Sequence, residues 1–265
     1  MGEQAVRILQ ISDLHLCADL DGTLLGVKTQ ESFEAIIAML KKEHLPVDII
    51  LLTGDLSQDH SEAAYRRVAE MIATFQVPVY VIPGNHDDPA LMAHIFPLPP
   101  ISAERHLVLK SWQIIMLNTH KPKHVGGHLD ASQLAFLTHC LETHPEHDAM
   151  VVFHHHAVPV GSAWLDKLGV DNADEFWKTV KRFPKLKVLM MGHVHQVHEE
   201  IRQGVACFTT PSTCIQFKRN HDEFAIENLP PGCRYMTLYD NSFFETGVLR
   251  LSHYIGEFDE NATGY

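Results

Sequence analysis

The strongest constraint on how this chain folds is an alternation. Short apolar runs of strand length, at residues 8–11, 48–53, 77–82, 113–117, 150–153 and 187–191, are separated by segments with helical periodicity. Residues 32–43 put Phe33, Ile36, Ile37 and Leu40 on one face, and residues 62–75 do the same with Tyr65, Val68, Ala69 and Ile72. Asp130 is placed to cap a helix bearing Leu134, Leu137 and Leu141, and Asn172 or Asp174 caps one running through Val180. Beyond Gly204 the pattern changes to strands at 205–209, 235–239 and 245–251 with turns between them. The pattern predicts an α/β chain with a β-rich end, most simply two sheets with helices outside. No repeat, low-complexity segment or linker divides it, so one domain over residues 1–265, with its core at about 6–253, is expected.

A chain of 265 residues buries roughly three quarters of its unfolded surface and needs no disulfide staples. Five scattered cysteines, none in a CxxC pair, point to free thiols in a reducing compartment. The first ten residues lack the pattern of a secretory leader, and the longest apolar runs are far too short to span a bilayer. A cytoplasmic protein without membrane contact is expected. The formal charge of −12 repels polyphosphate chains, which argues against nucleic acid as a partner. Twenty histidines are the outlier. Most belong on a solvated surface, but the excess directs attention to metal sites.

The predicted strand ends share a chemistry. The first runs into Ser12-Asp13-Leu14-His15, the second into Gly54-Asp55 and the third into Gly84-Asn85-His86-Asp87. The fifth runs into His154-His155-His156 and the sixth into Gly192-His193-Val194-His195. Taken singly, Asp-x-His reads as a capping Asp beside a surface His, and Gly-Asp as an ordinary turn. Ligands in open α/β sheets nevertheless collect beyond the carboxyl ends of strands, so five such ends converge on one region. They supply two Asp, one Asn and four His once redundant neighbours are removed. This mixed oxygen and nitrogen set suits Mn, Fe or Zn, with no thiolate to favour a soft metal. Seven groups exceed one four-coordinate ion and fit two ions that share a carboxylate.

These motifs resemble the signature of the calcineurin-like metallophosphoesterases, over residues 8 to about 251. More narrowly they resemble the bacterial class III 3′,5′-cyclic-AMP phosphodiesterases. That likeness lies in residues 8–13, in the His154-His155-His156 run followed by residues 159–166, and in Thr210-Pro211-Ser212-Thr213-Cys214-Ile215-Gln216-Phe217-Lys218. The resemblance implies a four-layered α-β-β-α sandwich of two mixed sheets flanked by helices, with the metal centre at the carboxyl ends of the strands. It implies two divalent ions per chain, Fe or Mn favoured over Zn. Asp13, His15 and His195 would hold the first, Asp55 would bridge, and Asn85, His154 and His193 would complete the second. Ala157 stands where relatives often carry Pro, so His155 remains an alternative to His154, which sits at the strand end.

The implied reaction is hydrolysis of 3′,5′-cyclic AMP to 5′-AMP by a metal-bridging hydroxide. Two cations, two Asp and that hydroxide leave roughly +1 facing the phosphodiester. His86 is the expected acid for the leaving ribose oxygen, with Asp87 orienting its imidazole. The substrate would meet His15, Asp55, Asn85, His86, His154 and His195. The alternative is the same chemistry on another small phosphate ester, such as a 2′,3′-cyclic nucleotide, a phosphomonoester or a nucleotide-linked lipid. A non-enzymatic scaffold is disfavoured, because every ligand position is filled. Trp112 and Trp177 are expected to pack, Trp164 to pack or near the substrate, and His120, His124 and His128 to lie in a solvated loop or cleft wall. The oligomeric state is not encoded in these motifs.

Overall fold

The computed structural model describes residues 5–253, 257–259, 262 and 264. It contains two six-stranded sheets. In the first, the spatial order is Phe244–Arg250, Gly232–Tyr239, Ala5–Ile11, Ile49–Leu52, Val79–Val81, Ile101–Ser102. The second runs Glu199–Arg202, Val205–Thr209, Leu186–Met191, Asp148–Val152, Trp112–Met116, His106–Leu109. The central strands of each pair in parallel; antiparallel partners lie at both edges of the second sheet and on the Gly232–Tyr239 side of the first, whose other edge, Ile101–Ser102, is parallel.

Period-two alternation assigns each strand's two faces to different layers. Ile8, Ile49 and Leu51 of the first sheet meet Trp112, Ile114, Met150, Val152, Val188 and Met190 of the second in one apolar cluster. The opposite faces, through Leu9, Ile11, Ile50 and Leu52, pack on α1 (Thr29–Glu43), α2 (Glu62–Ala73) and α3 (Pro89–Ile95). Ile115, Val151, Phe153, Leu189 and Met191 pack on α4 (Ala131–Thr143) and α5 (Ala173–Val180). The layers are therefore helix, sheet, sheet, helix, as expected from the resemblance.

The predicted strands and helices are all present, with ends shifted by at most three residues. The β-rich end belongs to the same two sheets: Gly232–Tyr239 returns antiparallel to Ala5–Ile11 and extends the first, while Val205–Thr209 joins the second in parallel. The edge strands Ile101–Ser102, His106–Leu109 and Glu199–Arg202 are additional. Helix α3 is additional; Asp88 caps it by accepting from the Ala90 and Leu91 amides, and Pro89 starts it. Asn172 is the N-cap of α5, but its side chain makes no cap bond; it accepts from the Leu129 amide instead.

Candidate metal centre

All five polar strand ends meet at one rim, between the two sheets. Asp13, His15, Asp55, His154, His193 and His195 are buried, whereas Asn85 and His86 are half-buried and form the solvent side. Of the seven predicted ligands, five sit at positive φ: Asp13 (57°), His15 (52°), Asp55 (51°), His193 (69°) and His195 (45°). Asp and His enter this left-handed region more readily than most residues, yet each such residue stores strain. The sharp bend after each strand turns the side chain back across the strand ends instead of outwards.

Close approach of the loops requires glycine at two places. A Cβ on Gly84 would lie 2.1 Å from Asp55 Oδ1, and one on Gly192 would lie 2.3 Å from Ser12 Oγ and 3.1 Å from Asp13 Oδ2. Gly84 thus lets the third strand's loop touch the carboxylate of the second.

Within this rim His195 Nε2 lies 3.3 Å from Asp13 Oδ1 and 3.2 Å from His15 Nε2. His15 Nε2 is 3.8 Å from Asp55 Oδ2, and His154 Nε2 is 3.3 Å from both Asp55 Oδ2 and Asn85 Oδ1. The ligand-bearing atoms form overlapping groups: Asp13, His15 and His195; Asp13, Asp55 and His154; His154, His155 and His193; and His15, Asp55 and His86. The two carboxylates occupy the middle of the array.

The hydrogen bonds behind the imidazoles decide which nitrogen faces inwards. His154 Nδ1 donates to the Thr53 carbonyl at 2.7 Å, and His195 Nδ1 donates to the Ile215 carbonyl at 3.0 Å. His15 Nδ1 faces Gln58 Oε1 at 2.7 Å. With Nδ1 engaged behind the ring, Nε2 is the nitrogen each imidazole presents to the centre. His15 Nε2 and His195 Nε2 meet there at 3.2 Å, and Asp55 Oδ2 is buried with no hydrogen bond, His154 Nε2 standing 3.3 Å away. His193 is buried with both ring nitrogens unpartnered. Each such buried group costs about 1–3 kcal/mol. A pair of cations among these atoms removes the conflict, so the donor set fits the dinuclear centre.

Electrostatics follow the same geometry. Burial pushes Asp55 upwards, but His154, His86 and His15 outweigh it and hold the carboxylate well below its usual range. Asp13 is likewise raised by burial and lowered by His195 and His154, with a net fall. Burial depresses His154, yet Asp55 and Asp13 overcome it and leave the imidazole at about 9. His15 goes the other way: burial takes it to about 3 despite Asp55. Burial also lowers His86.

The three consecutive histidines separate cleanly. His154 alone turns Nε2 to the carboxylates. Both ring nitrogens of His155 are engaged elsewhere, Nδ1 with Thr119 Oγ1 at 2.7 Å and Nε2 with the Val125 carbonyl at 3.0 Å. His156 stacks on His193 and lies 3.9 Å from Asp166.

Asp87 is not used as expected. Its Oδ1 accepts from the Leu56 and Ser57 amides and the Tyr65 hydroxyl, and its Oδ2 accepts from the Gly84 amide at 2.8 Å. The carboxylate therefore ties the Asp55 loop to the Asn85–His86 loop and is spent on that tie, instead of orienting the His86 ring. His86 donates its own amide to Asp55 Oδ1 at 2.8 Å, and its ring stands edge-on to His15 at 5.1 Å.

The sequence reading missed Gln58 as the partner of His15, and the carbonyls of Thr53 and Ile215, which carry no side-chain signal. His120 is half-buried; burial lowers its pKa, and it feels the charges of Asp55 and His154 at the centre. Trp112 and Trp177 pack as expected, each indole donating to a carbonyl. Trp164 packs edge-on against Phe217 and Phe224.

A family model for calcineurin-like phosphoesterases matches residues 6–197. The chain is 40% identical over 268 residues to a 3′,5′-cyclic adenosine monophosphate phosphodiesterase CpdA of Vibrio vulnificus, covering all of this chain and 97% of that one. It is 37% identical to CpdA of Escherichia coli K12, covering all of this chain and 96% of that one. Among solved structures, a dimetal phosphatase from Danio rerio superposes with a TM-score of 0.66 at 13% identity, covering 93% of this chain and 99% of that one. At that identity the likeness concerns the fold, and the fold agrees. The family match takes in every strand end that carries an expected ligand, and the relatives align over the full length. The chain belongs to the calcineurin-like phosphoesterases.

Proposed function

We propose that the protein hydrolyses 3′,5′-cyclic AMP to 5′-AMP at a dinuclear metal centre, within one domain. The observation that carries this reading is the inward-facing array: overlapping groups of Asp and His ligand atoms that share Asp13, Asp55 and His154, with a buried His193 whose two ring nitrogens have no hydrogen-bond partner. The choice of substrate is supported by relatives named as 3′,5′-cyclic adenosine monophosphate phosphodiesterases that match over the full chain.

In this reading Asp13, His15 and His195 hold one ion, Asn85, His154 and His193 the other, and Asp55 lies between. The mixed oxygen and nitrogen donors suit Fe or Mn. When bound, the ions supply an acidified water nucleophile and stabilise charge on the phosphoryl oxygens. The chain's own part is to hold these donors rigidly. The Nδ1 bonds fix three imidazoles, and the Asp87 tie holds two loops in register. Asn85, His86 and His120 line the open side, where the substrate enters.

His86 places a proton on the leaving ribose oxygen. Burial lowers the pKa of this ring, and the negative charge of a bound phosphodiester acts against that and favours the protonated form. A small-molecule cyclic nucleotide and not nucleic acid is the fitting partner for a chain of charge −12. Among the described residues no helix is long and apolar enough to cross a membrane, and all five cysteines are free, which supports a cytoplasmic setting.

The test is a substrate panel. Metal-stripped protein reconstituted with Mn or Fe is assayed on 3′,5′-cyclic AMP, 3′,5′-cyclic GMP, 2′,3′-cyclic AMP and a phosphomonoester, with and without chelator. Turnover of 3′,5′-cyclic AMP to 5′-AMP above the others, lost on chelation, is expected. Preference for the 2′,3′-cyclic nucleotide or the monoester would replace the substrate assignment.

A further inference from the structure

The 210–218 segment was tied by resemblance to cyclic-AMP hydrolysis, which invites the idea that it recognises the nucleobase. Its structure gives it another task. Thr210, Ser212, Thr213, Cys214, Ile215, Gln216 and Phe217 are all buried. Their partners are the two loops that carry Asp13 and His195.

Ser212 Oγ donates to the Asp13 carbonyl at 2.7 Å and accepts from the Cys214 amide at 2.8 Å. The Thr213 amide donates to the Ser12 carbonyl at 3.3 Å. The Ile215 carbonyl accepts from His195 Nδ1, and the Phe217 amide donates to the His195 carbonyl at 3.3 Å. The Phe217 ring lies flat on the His195 imidazole, with centroids 4.3 Å apart and planes inclined by 8°. Behind it, Trp164 and Phe224 stand edge-on at 5.0 and 5.6 Å.

An imidazole has two soft torsions. The Ile215 carbonyl fixes where Nδ1 points, and the flat stack restricts rotation about the ring's attachment bond. Together they leave Nε2 aimed at Asp13 Oδ1, 3.3 Å away. Outer partners of this kind orient a ligand before the metal arrives, and their loss typically lowers metal affinity 10–100-fold.

We propose that Phe217 is a positioning residue for the ion held by Asp13, His15 and His195, and that the 210–217 segment acts on metal occupancy instead of nucleobase choice. This rests on the dinuclear reading given above.

The experiment titrates metal-free protein with Mn(II) by calorimetry, for wild type, Phe217→Leu, Phe217→Met and Phe224→Leu, alongside thermal melts. Both Phe217 variants keep apolar bulk without a flat face; Phe224→Leu disturbs the same cluster without touching the imidazole stack. Expected are two Mn sites in wild type and a 10–100-fold loss at one of them in the Phe217 variants. The second site should be unchanged, and Phe224→Leu should keep both affinities within about threefold. At saturating Mn the ratio of cyclic AMP to cyclic GMP turnover should stay at its wild-type value.

Wild-type Mn affinity in both Phe217 variants overturns the proposal, and so does a changed adenine-to-guanine ratio with unchanged metal binding. An equal loss in Phe224→Leu also overturns it, since general packing would then account for the effect. Wild type binding fewer than two ions overturns the dinuclear reading itself, an outcome distinct from the others.

Discussion

Substituting Gly84 by alanine tests the closeness of the two loops that build the centre. The added Cβ would stand 2.1 Å from Asp55 Oδ1 and 2.5 Å from the Asp55 amide nitrogen, where real contacts do not fall below 3.0 Å. Something must yield by about 0.9 Å. The backbone of the second-strand loop is held by the Asp87 carboxylate through Leu56 and Ser57, so the Asp55 side chain gives way first. That oxygen also accepts the His86 amide, and the displacement therefore carries both residues. Overpacking of this kind costs about 1–3 kcal/mol of stability, and a misplacement near 1 Å costs about 100-fold in turnover. Steady-state kinetics on 3′,5′-cyclic AMP, with metal content by elemental analysis and a thermal melt, read all three quantities. Gly84→Ala should fold with a lowered Tm and lose about 100-fold in kcat. A variant carrying two ions with kcat within about threefold of wild type would show that the 2.1 Å approach does not govern the bridging carboxylate.

Three further outcomes are expected. His86→Ala should retain its metal but lose about 10²–10⁴-fold on the cyclic nucleotide, and far less on a p-nitrophenyl ester, whose leaving group needs no proton; equal losses on both would remove the acid role. Asp87→Asn turns an amide donor towards the Gly84 or Leu56 amide and should cost roughly 1–3 kcal/mol in chemical denaturation, with both metal sites still titratable. The His154 imidazole of metal-free protein titrates near 9, above the usual 6.5, so its stabilising effect is complete below about 6.5 and fades as pH rises through 9. Metal must displace that proton, and Mn affinity should therefore tighten by about tenfold per pH unit between 7 and 9; a flat profile by calorimetry in that interval would show that the His154 imidazole of the metal-free protein is already neutral there.

Legibility in the sequence follows what each feature depends on. The central strands were readable because burial on both faces leaves continuous apolar runs, such as Ile49–Leu52 and residues 149–152. The edge strand Glu199–Arg202 was not, since three of its four residues are charged and one face meets water. Helix α3 was signalled by Asp88-Pro89 but its seven residues are too few to show a period. The antiparallel return of Gly232–Tyr239 onto Ala5–Ile11 pairs segments over two hundred residues apart, which no local pattern encodes. At the centre, Asp13 and the histidines were legible because their side chains do the chemistry. The carbonyls of Thr53 and Ile215 were not, because any residue supplies the same oxygen. Asp87 misled because neighbours in sequence diverge in a tight turn: its carboxylate went to the amides behind it while His86 faced forwards.

The left-handed bends at Asp13, His15, Asp55, His193 and His195 bear on how this centre tolerates mutation. Asn accepts that conformation about as readily as Asp, so Asp→Asn at residues 13 and 55 deletes charge while sparing the main chain. Isoleucine, valine or threonine at the same places would distort the bend before any question of coordination arose. A saturation library over these five codons will therefore sort its survivors first by backbone compatibility and only then by donor chemistry.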